Sequence, residues 1–242
     1  MAVTPRLRRW LFETLYKNRY LYRFASTVPF AGQWRAWQRL VLPRIRGLDV
    51  LELGCGLGDL LADMLEAGYH CVAIEQSPEM VDAARKTLRR RQVGRAGQVI
   101  QGSAQSLPFS DHSFDTVVST FPTEYIYDDQ VIAEVARVLR PGGRLIVIEG
   151  ANLLPVGILQ PILVLLQALV YGTPIVTGTR RQRQAEAIKR QGRRLDETGT
   201  YTEVVPNATF GRHIPLEQHG LHRRSERVTS HRWEVHIIIG EK

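Results

Sequence analysis

The stretch Val50–Leu60 reads VLELGCGLGDL. It places Gly54, Gly56 and Gly58 in one turn, with an acid before them (Glu52) and another after them (Asp59). A short apolar run ends in the first glycine, and an amphipathic run, GDLLADMLEAG, begins at the last. This is the pattern of a buried strand turning into a helix. Glycine admits positive φ and lets a ligand approach the backbone, while a helix N-terminus presents unpaired N–H groups. The turn is therefore a candidate binding site for a nucleotide-like cofactor.

The same alternation continues outward. HCVAIEQ reads as a second strand, and SPEMVDAARKTLRRR as a helix with Ser77 as N-cap and Pro78 in its first position. GQVIQGS and SFDTVVSTF read as strands three and four. DDQVIAEVARVLR is a helix stopped by PGG at 141–143, where we expect a purely structural turn. RLIVIEG is a fifth strand and HRWEVHIIIGEK a last one. Strands alternating with helices imply an α/β fold, a doubly wound and mostly parallel sheet with right-handed crossovers.

Glycine spacing narrows the ligand. A dinucleotide turn has G-x-G-x-x-G, and here the glycines run G-x-G-x-G. Flanking acids disfavour a pyrophosphate and suit a cation. Glu75 ends the second strand, where an acid can accept both hydroxyls of a ribose. A nicotinamide oxidoreductase is disfavoured on these grounds.

VLELGCGLGDL, VAIEQS, GSAQSLPFSDHSFDTVVS and EVARVLRPGGRLIVIE, in that order, resemble the successive motifs of class I S-adenosylmethionine-dependent methyltransferases. The run from LPFSDHSFD to EVARVLRPGG is similar to the type 11 branch, which contains the ubiquinone and menaquinone C-methyltransferases. The likeness covers about residues 48–150, with a weaker one over 214–242. It implies a Rossmann-like, seven-stranded sheet with a reversed last hairpin, and S-adenosylmethionine as cofactor. It further implies that Gly54, Cys55, Gly56, Gly58 and Glu52 surround the methionine part. Glu75 would hold the ribose, Gln76 would lie beside the adenine, and Ser103 and Ala104 would meet its edge. The family usually has Asp at the position of Ser103, so this adenine contact lacks charge. Thr120 and Phe121, ending the fourth strand, would line the transfer site. The sulfonium is already activated, so aligned transfer can proceed with no catalytic base. Where a base is needed, the candidates are Glu124, Tyr125 and Tyr127, then His213, His219 and His222. No metal-ligand spacing stands out.

Length and charge set the organisation. The 242 residues fit one domain with elaborations. We divide them into a basic helical cap at 1–46, a cofactor-binding core at 47–150, a lid insertion at 151–212 and closing strands at 213–242. Helices are expected over 5–24 and over GQWRAWQRLVLPRI. Two cysteines, Cys55 and Cys71, make no disulfide framework and suggest a reducing compartment. With no secretory signal, a cytoplasmic protein is the default expectation. Net charge is +8 overall, but residues 1–50 carry ten basic and two acidic side chains, while residues 51–150 carry nine basic and fourteen acidic. The basic flanks fit an anionic membrane surface, or simply solvated helices.

The insertion bears on the acceptor. Leu153–Tyr171 is 19 residues without a charge, followed by the basic GTRRQRQAEAIKRQGRR. Its length is marginal for a spanning helix, and Pro155 and Pro161 weaken that reading. A packed lid and a lid lying in the membrane interface both remain. The second implies a small lipophilic acceptor, either a quinone precursor or a phospholipid. A polar small molecule or RNA stays as an alternative, though TFPTEY after the fourth strand lacks the Asn/Asp-Pro-Pro-aromatic pattern of RNA-type enzymes. An inactive cofactor-binding scaffold is the remaining reading.

Overall fold

The structure is a computed structural model that describes residues 33–93, 98–153, 200–205, 213–230 and 233–242. The helix expected over 5–24 and the uncharged and basic stretches of the insertion lie outside the described residues.

The elements follow the sequence pattern closely. Helix α1 (Trp34–Gln38) continues as a 3-10 turn, Arg39–Arg44, that carries Pro43. Then come β1 (Asp49–Leu53), α2 (Asp59–Glu66), β2 (His70–Glu75), α3 (Pro78–Arg91), β3 (Gln98–Gln101) and β4 (Phe114–Thr120). A 3-10 turn, Glu124–Tyr127, leads into α4 (Asp129–Val138). The strands β5 (Leu139–Leu153), β6 (Tyr201–Val204), β7 (His222–Thr229) and β8 (Trp233–Glu241) complete the fold.

Local signals set the helix ends. Ser77 Oγ accepts from Met80 N–H at 3.3 Å and Pro78 sits in the first turn of α3. Gly68, at φ +91°, ends the α2 segment, with Tyr69 N–H bonded to Met64 C=O. One boundary moves. Leu139 is not helical but extended, and it pairs with Phe114 before the chain bulges through Pro141 to Gly143 and resumes pairing at Arg144.

The sheet order is β3-β2-β1-β4-β5-β8-β7-β6. The first five strands are mutually parallel, and β8 runs antiparallel between β5 and β7. The described residues therefore form eight strands rather than seven. The extra strand, β6, lies on the outer edge of β7 and falls within the stretch expected as insertion. Edge pairing of so short a segment leaves little periodic signal.

Side chains alternate between two layers. Val50, Val118, Ile146, Ile148, Ile237 and Ile239 pack under α1, α2 and α3 with Trp37, Leu61, Met64 and Leu88. Leu51, Leu53, Val117, Leu145, Val147 and Ile238 pack on the other face with Ile132 and Val135 of α4. The carboxyl ends of β1, β2 and β4 thus converge at the glycine turn, the crevice where open α/β sheets hold ligands.

Candidate active site

The turn is shaped by three left-handed glycines, Gly54 (φ +71°), Gly56 (+52°) and Gly58 (+74°). At two of them crowding adds to the backbone requirement. A β-carbon on Gly54 would stand 2.9 Å from the Tyr125 hydroxyl, and one on Gly58 would stand 2.9 Å from the Cα of Ala84 in α3. The turn is closed by Gly54 N–H to Ile74 C=O and by Gly58 N–H to Cys55 C=O.

Glu75, at the end of β2, holds this turn from the side. One carboxylate oxygen accepts Gly56 N–H at 3.0 Å and the other accepts Ser77 N–H at 2.9 Å. Each oxygen keeps a second acceptor site, so the same carboxylate can also take the hydroxyls of a ribose. Gln76 is exposed beside it.

Glu52 is different. It is 1 % exposed and its Oε2 has no hydrogen-bond partner. Burial, with Glu75, Asp63 and Asp59 nearby, pushes its carboxyl up to about 8. A buried acceptor left open at a cofactor turn is what an ammonium group would satisfy. This is the test of fit for S-adenosylmethionine, which carries an amino-acid ammonium and a sulfonium, and the residues pass it. Cys55 is buried and its thiol is pushed well up by burial, so it packs rather than reacts.

The adenine side is less complete. Ser103 is half-buried and its hydroxyl is hydrogen-bonded to Gln105, whose amide in turn donates to Asp128 at 3.2 Å. Ala104 packs against the α4-side core.

At the end of β4, Thr120 Oγ1 accepts from Gln38 Nε2 at 3.2 Å. Phe121 is in the left-handed region at φ +50° and its N–H bonds to Ile148 C=O. A bulky residue at positive φ signals a site held by its surroundings. Here the holder is Trp34, stacked on Phe121 with ring centroids 4.1 Å apart. Trp37 sits 6.2 Å from both Phe121 and Trp233.

Helix α1 is fastened above this site by Asp63 of α2. Arg35 of α1, Arg39 at the start of the 3-10 turn that continues it, and Arg91 of α3 each reach the Asp63 carboxylate at 2.7 Å, and together they hold it down to about 2. Arg91 is also paired with Glu66. Neither Trp34, Gln38 nor the Asp63 cluster carries a signal in the sequence, because their partners lie 24 to 87 positions away.

The candidate bases divide. Tyr125 is at the site: its hydroxyl lies 2.7 Å from Ser119 Oγ and donates to Leu53 C=O at 3.1 Å. Glu124 is exposed and Tyr127 packs against the core. The late histidines are not brought to the turn. His213 is exposed, 3.9 Å from Glu217, and its neighbour Ile214 bonds Arg223 in the first residues of β7. His219 pairs with Asp129 at 2.8 Å. His222 stands opposite Glu241, which in turn pairs with Arg144 at the start of β5, the far end of the sheet. Among the described residues no group of three or more His, Cys, Asp or Glu is placed to hold a metal.

Comparison with known proteins agrees with this geometry. A methyltransferase domain model matches residues 51–147. Residues 51–147 are therefore a methyltransferase domain, similar to the class I S-adenosylmethionine-dependent enzymes of the type 11 branch. Its cofactor is S-adenosylmethionine. The chain is 32 % identical over 146 residues to a demethylmenaquinone methyltransferase of Lactiplantibacillus plantarum, a match covering 57 % of this chain and 60 % of that protein. It is 33 % identical over 143 residues to the demethylmenaquinone methyltransferase of Corynebacterium glutamicum, covering 57 % of each. It is also 38 % identical over 96 residues to an uncharacterized methyltransferase of Mycobacterium tuberculosis, covering 40 % of this chain and 37 % of that one. The chain thus spans about 60 % or less of the curated relatives it matches. The fold is shared with a geranyl diphosphate C-methyltransferase from Streptomyces coelicolor A3(2), at TM-score 0.50 and 14 % identity, covering 88 % of this chain and 82 % of that one.

Proposed function

We propose that the whole chain is an S-adenosylmethionine-dependent methyltransferase acting on a small lipophilic acceptor, a quinone precursor or a phospholipid, by in-line methyl transfer. The observation that carries the acceptor class is the aromatic stack of Trp34 on Phe121 at the end of β4. Trp37 and Trp233 extend it into the α1-side core. Such a surface favours a flat or apolar molecule over a hydrated one. The demethylmenaquinone methyltransferases among the relatives support the same class.

The bound cofactor supplies an activated methyl group with its own leaving group. The chain's residues supply placement. Glu52 receives the ammonium, Glu75 the ribose hydroxyls, and the Gly54–Gly58 backbone the close approach. Helix α1, clamped by Asp63, covers the β4 end and excludes water there.

Among the described residues no helix is long and apolar enough to cross a membrane. We infer peripheral association with a membrane, because the uncharged sequence 153–171 and the basic sequence after it have the composition that suits an anionic lipid surface.

Methyl-labelled S-adenosylmethionine incubated with a host-cell extract, then split into lipid, RNA and polar fractions, tests the acceptor. Label in lipid supports this reading, and label in RNA or polar metabolites overturns it. Purified protein that ignores anionic liposomes at low salt removes the membrane part alone.

A further inference from the structure

A chain of three polar side chains runs from the end of β3 to the start of α4. Ser103 Oγ is hydrogen-bonded to Gln105 Oε1, and Gln105 Nε2 donates to Asp128 Oδ2 at 3.2 Å. All three residues are half-buried. Asp128 is also the N-cap of α4, where its other oxygen accepts Gln130 N–H at 3.0 Å. The helix it caps therefore holds Asp128, and Asp128 holds Gln105.

The strand order brings this chain to the cofactor's base. β1, β2 and β3 are consecutive neighbours in the sheet, each about 5 Å from the next. S-adenosylmethionine is itself laid out in a line, from amino acid through sulfonium and ribose to adenine. With the ammonium at Glu52 of β1 and the ribose at Glu75 of β2, the base falls at the end of β3. Gly102 N–H bonds to Glu75 C=O at 3.0 Å, so Ser103 is the next residue beyond the strand end that adjoins the ribose holder.

A serine hydroxyl by itself is indifferent to its partner, since it has one donor and two acceptor sites and rotates to suit. The chain of bonds removes that freedom. A carboxylate only accepts, so Gln105 must turn its amide nitrogen to Asp128. That leaves the amide oxygen facing Ser103, and the hydroxyl must direct its one proton there. Gln105 N–H takes one of the hydroxyl's acceptor sites, at 3.3 Å. One acceptor site and no donor remain. Ser103 thus has the hydrogen-bonding character of a carboxylate oxygen, without the charge.

We propose that Gln105, fixed by Asp128, determines which base the cofactor site accepts. It holds Ser103 as a pure acceptor, which takes the exocyclic amino group of adenine and rejects a base that carries a carbonyl there. Gln105 is a positioning residue, because it acts through Ser103. The proposal rests on S-adenosylmethionine being the cofactor and on its ribose lying at Glu75, and it is independent of the methyl acceptor. A carbonyl at that place sets two acceptors against each other with no proton between them, the kind of mismatch that a hydrogen-bonding site rejects strongly.

Isothermal titration of the full chain with S-adenosylhomocysteine and with its S-inosyl analogue reads the preference. We expect the wild-type protein to favour the adenosyl compound by about thirtyfold. Asp128→Asn keeps the helix cap, since Asn caps as well as Asp. An amide either accepts or donates, however, so in this variant Gln105 is free to turn and Ser103 is free to donate. We expect the preference to fall below about threefold, with the melting temperature within about 2 °C of wild type. Gln105→Leu should do the same. Adding Ser103→Asp to Asp128→Asn supplies an acceptor that needs no relay, and the preference should return to at least about tenfold. The analogue also gains a proton on the neighbouring ring nitrogen, so the change of ratio between proteins carries the conclusion. Equal affinity for the two compounds in the wild type overturns the proposal. So does a preference that survives both Asp128→Asn and Gln105→Leu, or an equal loss for both compounds with a lowered melting temperature, since either makes the chain a tie between loop and helix. Binding of neither compound overturns the cofactor site and the proposal with it.

Discussion

The hydroxyl of Tyr125 stands 2.9 Å from the point that a β-carbon on Gly54 would occupy. The two residues are 71 positions apart, yet one excludes every side chain from the other. The hydroxyl is fixed there by Ser119 and by Leu53 C=O, so it cannot swing away without losing both hydrogen bonds. Gly54→Ala therefore meets two costs, the contact and the left-handed backbone at φ +71°. We expect it to weaken cofactor binding at least about tenfold and to destabilise the fold by about 2 kcal/mol. Adding Tyr125→Phe removes the contact and leaves the backbone cost. Isothermal titration on the four species of that double-mutant cycle should show partial recovery. Strict additivity would show that the contact carries nothing.

Glu52 makes cofactor binding depend on pH. Its carboxyl, pushed up to about 8 by burial and neighbouring acids, is largely protonated at pH 7 before the ammonium arrives. Binding of the cation favours the carboxylate, so a proton leaves. Affinity should rise by up to about tenfold per unit as pH increases toward 8, then level off. Glu52→Gln should bind more weakly and with little pH dependence. Calorimetry in two buffers of different ionisation enthalpy checks the proton release directly.

The same group makes a second, opposite statement about stability. Its folded value lies above the ordinary glutamate value, so the folded state holds the proton more tightly. That contribution is complete below the unfolded value and is lost as pH rises through about 8. Without cofactor, Glu52→Gln should therefore melt higher than wild type at pH 9, by about 5 °C, and the gap should narrow near pH 5. Thermal scans at the two pH values decide it.

Asp63 behaves in the reverse sense. Its three arginines hold it down to about 2, so its contribution is present above the ordinary aspartate value. It is lost as pH falls toward 2. Asp63→Asn leaves Arg35, Arg39 and Arg91 without their shared partner. Two of those arginines are about half exposed, which discounts the loss to about 2 kcal/mol. Urea unfolding of the variant measures it. Because the cluster fastens α1 over Thr120 and Phe121, we also expect acceptor KM to rise while cofactor affinity holds.

Gly58→Ala is a control of another kind. Its added carbon would stand 2.9 Å from the Cα of Ala84, and backbone cannot step aside as a side chain can. We expect more than about 3 kcal/mol of destabilisation, visible as a lowered melting temperature.

The sequence by itself determined the α/β alternation, the glycine turn, the Ser77 cap and the acids at Glu52 and Glu75. These are local facts. A strand buried on both faces is a run of apolar residues, a cap is a neighbour two or three positions away, and a ligand turn is a spacing of glycines. Only the tertiary structure decided what stands around them. The partner of Gly54 is Tyr125, the cover of Phe121 is Trp34, and the anchor of α1 is Asp63. It also separated His213 and His222 from the turn. The strand β6 was hidden for the same reason, since four residues on a sheet edge take their shape from β7 rather than from their own pattern. Such contacts depend on which strand lies beside which, and that order is set by crossovers and packing over the whole chain, where periodicity in a short window carries no information.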